Sequence, residues 1–230
     1  MCPALAEEIE EISVTAMRRD VQQEQVAHAL VTIPGNDIVH HKLVTDALAA
    51  APGVALQQTT PGQGAVIVRG QKGSAVLHLV DGMRLNNAIF RSAPTQYLAL
   101  VPASAVAQAE VLRGTPTSLY GSDAIGGVVQ LVSRVPQFDA DDVQTAGGVS
   151  LAVDTAEQLR MFGAMLDVGN RDLAASVSVD RVETGERRIG GGAKIPFSGY
   201  TSNAVRLYLG ATPEGRTSWS LDAHYLEQPE

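Results

Sequence analysis

The stretch Glu110-Val111-Leu112-Arg113-Gly114-Thr115-Pro116-Thr117-Ser118-Leu119-Tyr120-Gly121-Ser122-Asp123-Ala124-Ile125-Gly126-Gly127-Val128-Val129 sets the fold. Residues 105–112 read as a strand or a helix-to-strand passage, residues 121–127 as a glycine-punctuated turn, and residues 128–132 as a strand. Gly126-Gly127 supplies backbone conformations that a side chain would forbid. Glu110 and Arg113 are charges in or beside apolar strands. Such charges must be paired, because an unpaired buried charge is very costly.

Upstream of this stretch the same grammar repeats. Residues 65–68 and 75–80 are apolar runs with Gly70 and Gly73 between them, and read as two strands. Arg69 follows the first run, and Asp81-Gly82 after the second is a strong turn signal. Residues 39–51 have the spacing of a helix, with Leu43, Ala47 and Leu48 on one face and Pro52-Gly53 as its stop. Residues 57–65 and 86–96 read as loops. Residues 1–24 are polar and acidic, the composition of a solvated segment, and contain one β-prone patch, Ile12-Ser13-Val14-Thr15-Ala16.

Downstream the pattern changes to strict alternation. Val149, Leu151 and Val153 share one face of a segment, as do Phe162, Ala164, Leu166 and Val168. Leu173, Ala175, Val177 and Val179 form a third such face, and Val205, Leu207 and Leu209 a fourth. Trp219, Leu221, Ala223 and Tyr225 form a fifth. Side chains alternate across a strand, so each segment has an apolar and a polar face. Segments of about ten residues with this pattern fit a transmembrane barrel. They fit equally a water-soluble sandwich whose apolar faces point at a core. Trp219 and Tyr225, at the ends of the fifth apolar face, lean toward a membrane girdle.

Composition narrows the function. Among 230 residues the formal net charge is −8, which argues against a nucleic-acid partner. The single cysteine, Cys2, excludes an internal disulfide. No apolar run reaches the length of a membrane-spanning helix. Ala4-Leu5-Ala6 before Glu7 reads as the small-residue end of a leader that starts upstream, or as a short apolar stretch. His28, His40, His41, His78 and His224 form no ligand spacing, Gly121-Ser122 lacks a nucleophile elbow, and Gly190-Gly191-Gly192 lacks a phosphate-loop lysine. The expectation is a non-enzymatic protein with no cofactor and no metal.

Taken in order, these segments resemble the plug of TonB-dependent outer-membrane receptors. The resemblance rests on Asp46-Ala47-Leu48 with Pro52-Gly53-Val54, on Val66-Ile67-Val68-Arg69-Gly70, on Val76-Leu77-His78-Leu79-Val80-Asp81-Gly82-Met83-Arg84, and on the opening stretch. It spans residues 43–134. The sequence departs from the family where a Glu-Arg pair is usual before Glu110 and where Gln130 stands for an asparagine.

The resemblance implies an α+β plug domain followed by antiparallel transmembrane β-barrel strands. It divides the chain into a flexible segment at 1–24, a plug at 25–136 and the first barrel strands at 137–230. It places Ile12, Ser13, Val14, Thr15 and Ala16 at the TonB box, where an extended peptide would add a strand to the TonB sheet. It gives Arg69, Glu110 and Arg113 the role of plug–barrel charge contacts, against the alternative that they pair within the plug. It puts a ligand face on the loops at 57–64 and 85–92, with Arg84, Asn86, Asn87, Phe90, Arg91 and Tyr97 as binding residues. The implied cargo is a scarce nutrient, an iron–siderophore, haem or cobalamin, with iron favoured by residues 85–100. The implied setting is outer-membrane lipid. The family's barrels have about 22 strands, on the order of 220 residues at ten per strand. Residues 144–228 supply about five, and an open edge in lipid is costly. The expectation is therefore a fragment or a truncated gene model. The rival reading is a soluble periplasmic binding module ending in a β-sandwich.

Overall fold

Alternating and apolar runs decide where strands form, and the computed structural model places fourteen of them among the residues it describes. These are residues 13–16, 18, 21–22, 29–58, 62–85, 97–212 and 218–229.

Strands β1 (Ser13–Val14) and β2 (Val21–Gln22) make a short antiparallel pair. Strand β3 (Ala29–Pro34) is followed by two single-turn helices, α1 (Gly35–Ile38) and α2 (Val44–Leu48). The helix expected over 39–51 is thus only α2. Leu43 is extended (φ −130, ψ 146), so the helix cannot start earlier, and residues 35–38 form a separate turn. Strands β4 (Val54–Gln57) and β5 (Ala65–Val68) pair antiparallel.

Strands β6 (Val76–Val80) and β7 (Met83–Arg84) are joined by Asp81-Gly82, both at positive φ (49 and 77). That is the backbone of a two-residue primed hairpin turn, which aspartate and glycine tolerate. Strand β8 (Val106–Arg113), helix α3 (Thr117–Tyr120) and strand β9 (Gly127–Ser133) complete the domain. Its five-stranded sheet runs β3-β8-β9-β6-β7, with β6 and β9 parallel and the other pairs antiparallel.

This sheet is buried on both faces, which explains the unbroken apolar character of β6, β8 and β9. One face packs Val76, Val111, Val129 and Leu131 on Ile38, Val44, Leu48 and Val66. The other packs Leu77, Leu79, Leu112 and Val128 on Tyr120, Ala124 and Ala16. A residue of the N-terminal segment therefore belongs to the second core.

Strands β10 (Gln144–Asp154), β11 (Leu159–Gly169), β12 (Leu173–Thr184), β13 (Tyr200–Ala211) and β14 (Trp219–Glu227) form one antiparallel meander. The register sets Leu151 opposite Phe162, Leu166 opposite Val177, Val179 opposite Val205 and Leu209 opposite Leu221. These apolar residues all share one face, and it points outward: Leu151 is 77% exposed and Trp219 57%. The opposite face carries Asp167 at 2% and Arg206 at 4%, buried against the α+β domain. A soluble sandwich needs the reverse polarity, so the rival reading falls. The fold class is the expected one, an α+β domain followed by antiparallel barrel-type strands. The sheet is open, with β10 and β14 at its edges. Among the described residues no helix is long and apolar enough to cross a membrane.

Candidate functional site

Two sets of contacts stand out: those that dock the N-terminal segment, and those that join the α+β domain to the strand wall. In the first, strand β8 brings Glu110 to the sheet face that Ala16 covers. Glu110 is fully buried. Its carboxylate accepts the backbone N–H of Thr15 at 2.9 and 3.0 Å and that of Ala16 at 2.5 Å. It also accepts the Thr15 hydroxyl at 3.3 Å and Gln108 Nε2 at 2.6 Å. From neighbouring elements Gln130 Nε2 donates to Thr15 Oγ1 at 2.7 Å, and the Tyr120 hydroxyl donates to the Ala16 carbonyl at 2.7 Å. Arg18 lies over the Tyr120 ring, 5.8 Å from its centroid, and donates to the Leu119 carbonyl. Burial pushes the Tyr120 phenol above its ordinary range.

At the seam, Arg134 forms a two-pronged pair with Asp167, which also accepts the Ser176 hydroxyl at 2.6 Å. Arg206 donates to the Arg134 carbonyl at 2.7 Å and pairs with Asp222 at 2.7 Å. Ser104 donates to Asp180 at 2.5 Å. The remaining contacts gather at the end of the wall that carries its longest connection, residues 185–199. There Lys42 pairs with Glu157, Arg187 lies 3.5 Å from Glu157, and Arg187 donates to Gln58 at 3.1 Å. Gln58 donates to Asp46 at 3.0 Å, and Gln228 donates to the Gly62 carbonyl at 3.0 Å. Burial raises the Asp46 carboxyl, and Lys42 partly offsets this.

The residues expected at a TonB box and those expected at a plug–barrel contact meet one another. Thr15 and Ala16 are in the grip of Glu110, Ser13 and Val14 form β1, and Ile12 lies outside the described residues. Arg113 donates to the Pro52 carbonyl at 3.0 Å, and Arg69 is exposed with its backbone N–H on the Gly53 carbonyl. The contacts of Glu110 and Arg113 thus stay within the first 133 residues, and other side chains reach the wall.

Of the expected ligand residues, Asn86, Asn87, Phe90 and Arg91 lie outside the described residues. Tyr97 opens a 3₁₀ turn, Tyr97–Leu100, and is 38% exposed. Arg84 pairs with Asp123 at 3.0 Å and donates to the Tyr120 carbonyl, lining the same cleft as Thr15 and Gln130. Among the described residues no cluster of His, Cys, Asp or Glu could hold a metal.

Sequence reasoning missed Tyr120 and Gln130 on the segment, and Lys42, Arg134, Asp167 and Arg206 at the seam. One signal was available: Asp167, Ser176 and Arg206 occupy the polar positions of alternating strands. A polar face needs partners wherever it is enclosed.

With this geometry in place, similarities to known proteins can be set beside it. The family model described as "TonB-dependent Receptor Plug Domain" matches residues 22–128. The vitamin B12 transporter BtuB of Vibrio vulnificus (strain YJ016) is 35% identical over 138 residues, covering 56% of this chain and 22% of that protein. BtuB of Photobacterium profundum is 32% identical over 123 residues, covering 53% and 20%. This chain therefore spans about a fifth of the length of the curated relatives it matches. Among solved structures, the copper transporter OprC superposes with a TM-score of 0.71 at 20% identity, covering 86% of this chain and 30% of that one. The pyoverdine receptor FpvA of Pseudomonas aeruginosa PAO1 superposes at 0.70 with 12% identity, covering 94% and 30%. At these identities the structures speak for the fold alone. The proteins named are transporters and receptors, in keeping with a chain that is not an enzyme.

Proposed function

We propose, from the match of residues 22–128 to a TonB-dependent receptor plug domain and from a fold shared with solved transporters and receptors, that this chain serves active uptake of a scarce nutrient across the outer membrane. The observation that carries this reading is the inverted polarity of the wall. Apolar residues from Leu151 to Trp219 face outward, and Asp167 and Arg206 face the plug. Water on the outer face would make such a wall unstable. Lipid there and a polar plug inside satisfy both faces.

In this reading residues 155–158 and 185–199 lie outside the cell, and the short connection at 170–172 faces the periplasm, following the usual contrast of long outer loops and short inner turns. Gln58 and Gly62 then lie at the outer end, bonded to Arg187 and Gln228, and residues 57–64 are proposed as part of the ligand face. Residues 85–92 would complete it. Ile12 to Ala16 would be the segment that TonB pulls. The cargo class is a metal chelate: cobalamin, which the two BtuB relatives carry by name, or a ferric siderophore or haem, which the resemblance of residues 85–100 to receptors for iron sources favours.

Three measurements test this. The chain should partition with outer-membrane lipid, not with the soluble periplasmic fraction. The periplasmic domain of TonB should be retained by the chain and lost on deletion of residues 12–16. Titration calorimetry should detect binding of cyanocobalamin or a ferric siderophore by the receptor that carries this sequence. A soluble, TonB-indifferent product would end the proposal.

A further inference from the structure

Glu110 is fully buried, yet among the described residues it forms no ion pair. Its charge is balanced by N–H and O–H donors alone. Apart from Gln108 Nε2, these are the two backbone N–H groups of Thr15 and Ala16 and the Thr15 hydroxyl. Tyr120 donates to the Ala16 carbonyl. The groups held include the N–H and the C=O of Ala16, which share one side of an extended strand and are the pair a neighbouring β-strand would use. The N–H bonds to Glu110 come from the main chain, so proline at position 15 or 16 would remove the donor there.

We infer that Glu110 is a latch that holds Thr15 and Ala16 by their main chain and so competes directly with the sheet edge of TonB for the segment. Docking in the plug and strand addition to a partner are mutually exclusive at these two residues. When the segment leaves, Glu110 loses most of its donors. The cleft that Thr15, Gln130 and Tyr120 line then admits water to the carboxylate, so the exchange is reversible. Glu110 is thus a positioning residue, acting on the partner only through the segment it holds. The inference rests on the coupling role proposed above for Ile12 to Ala16.

The test uses the full chain in detergent, with Cys2→Ser and a nitroxide on Ser13→Cys. Glu110→Ala should shift the docked-to-free ratio of the segment by on the order of tenfold, the weight of one charge-assisted hydrogen bond. It should raise the affinity for the periplasmic domain of TonB by a similar factor. Glu110→Gln, which keeps the shape and one acceptor oxygen, should fall between wild type and alanine. Tyr120→Phe should do the same, and both guard against a misfolded alanine variant. An unchanged nitroxide spectrum in all three folded variants overturns the latch. So does a mobile segment whose affinity for TonB has not risen. If TonB binds wild type and variants alike with no change in mobility, the latch falls and the receptor reading stands. If mobility rises and TonB binds none of them, the receptor reading falls while Glu110 remains the group that holds the segment.

Discussion

The carboxylate of Glu110 stands 2.5 Å from the backbone nitrogen of Ala16, a residue 94 positions earlier in the chain. A buried anion is costly unless its lone pairs are filled. Here a peptide from the far N-terminus fills them, so the segment and strand β8 stabilise each other. Tyr120→Phe removes the hydroxyl that holds the Ala16 carbonyl and leaves the ring packed. We expect a loss of about 1 kcal/mol in urea unfolding of the chain, with the midpoint moved and the slope unchanged.

Gly127 opens β9 at φ +154, and a Cβ built there would lie 2.5 Å from the Leu112 carbonyl oxygen and 3.1 Å from Val68 Cγ1. Both neighbours belong to the sheet core and cannot yield cheaply. Gly127→Ala should cost more than about 2 kcal/mol through strain and overlap. Gly190→Ala is the control, because nothing lies within 4 Å of its Cβ position. Equal unfolding midpoints for the two variants would refute this account.

Leu207 sits on the outward face of β13, opposite Ala223 and Val177. In lipid, Leu207→Arg should cost about 2–4 kcal/mol, the usual penalty near the bilayer midplane. In water the same change would be nearly silent. Folding into lipid vesicles, followed by denaturant titration, separates the two. A variant as stable as wild type in vesicles would mean that this face does not meet lipid.

Arg134 and Asp167 form an ion pair that joins the two sides of the seam, with the Asp167 side chain 2% exposed. Arg134→Ala leaves the buried carboxylate with the Ser176 hydroxyl and the charge of Arg206 but no direct ion pair, and should destabilise the joined plug and wall by roughly 3 kcal/mol. Asp167→Asn in the same chain should recover a large part of that loss, since the uncompensated charge is gone. A double-mutant cycle with no coupling would count against a structural role for the pair.

Asp46 is held above its ordinary range by burial, and Gln58 donates to its Oδ1. Its other oxygen, Oδ2, is buried without a partner. A carboxyl raised in the folded state binds its proton more tightly there than in the unfolded chain. Its contribution is favourable below the unfolded value near 3.8 and is lost as pH rises through the folded value. Asp46→Asn keeps the acceptor for Gln58 and removes the titration. The variant should therefore gain on wild type as pH rises from about 4 toward neutrality. Parallel stability–pH curves would show that Asp46 does not titrate this way.

Much of this could be read from residues alone, and the exceptions have physical causes. Alternation located the wall strands because pleating fixes the side-chain period at two. It left open which face met solvent, since a period carries no information about what covers either side. The plug's burial of Asp167 and Arg206 supplied that answer. The pattern around Glu110 announced a buried charge in need of partners. It could not reveal that those partners were main-chain N–H groups, because every residue but proline offers one. The helix over 39–51 was overread, since the apolar spacing continues through Leu43 although its backbone is extended.

The seam between plug and wall is built from hydrogen bonds and ion pairs, with Ser104, Arg134, Asp180 and Arg206 as its substance. Water can take over each of these bonds as the surfaces part. Sliding the plug along the wall should then leave a smaller heat-capacity signature than unfolding the plug itself, which would expose Leu48, Val111 and Leu131. On the uptake role proposed above, calorimetry under load could thereby tell a stopper that shifts intact from one that unravels.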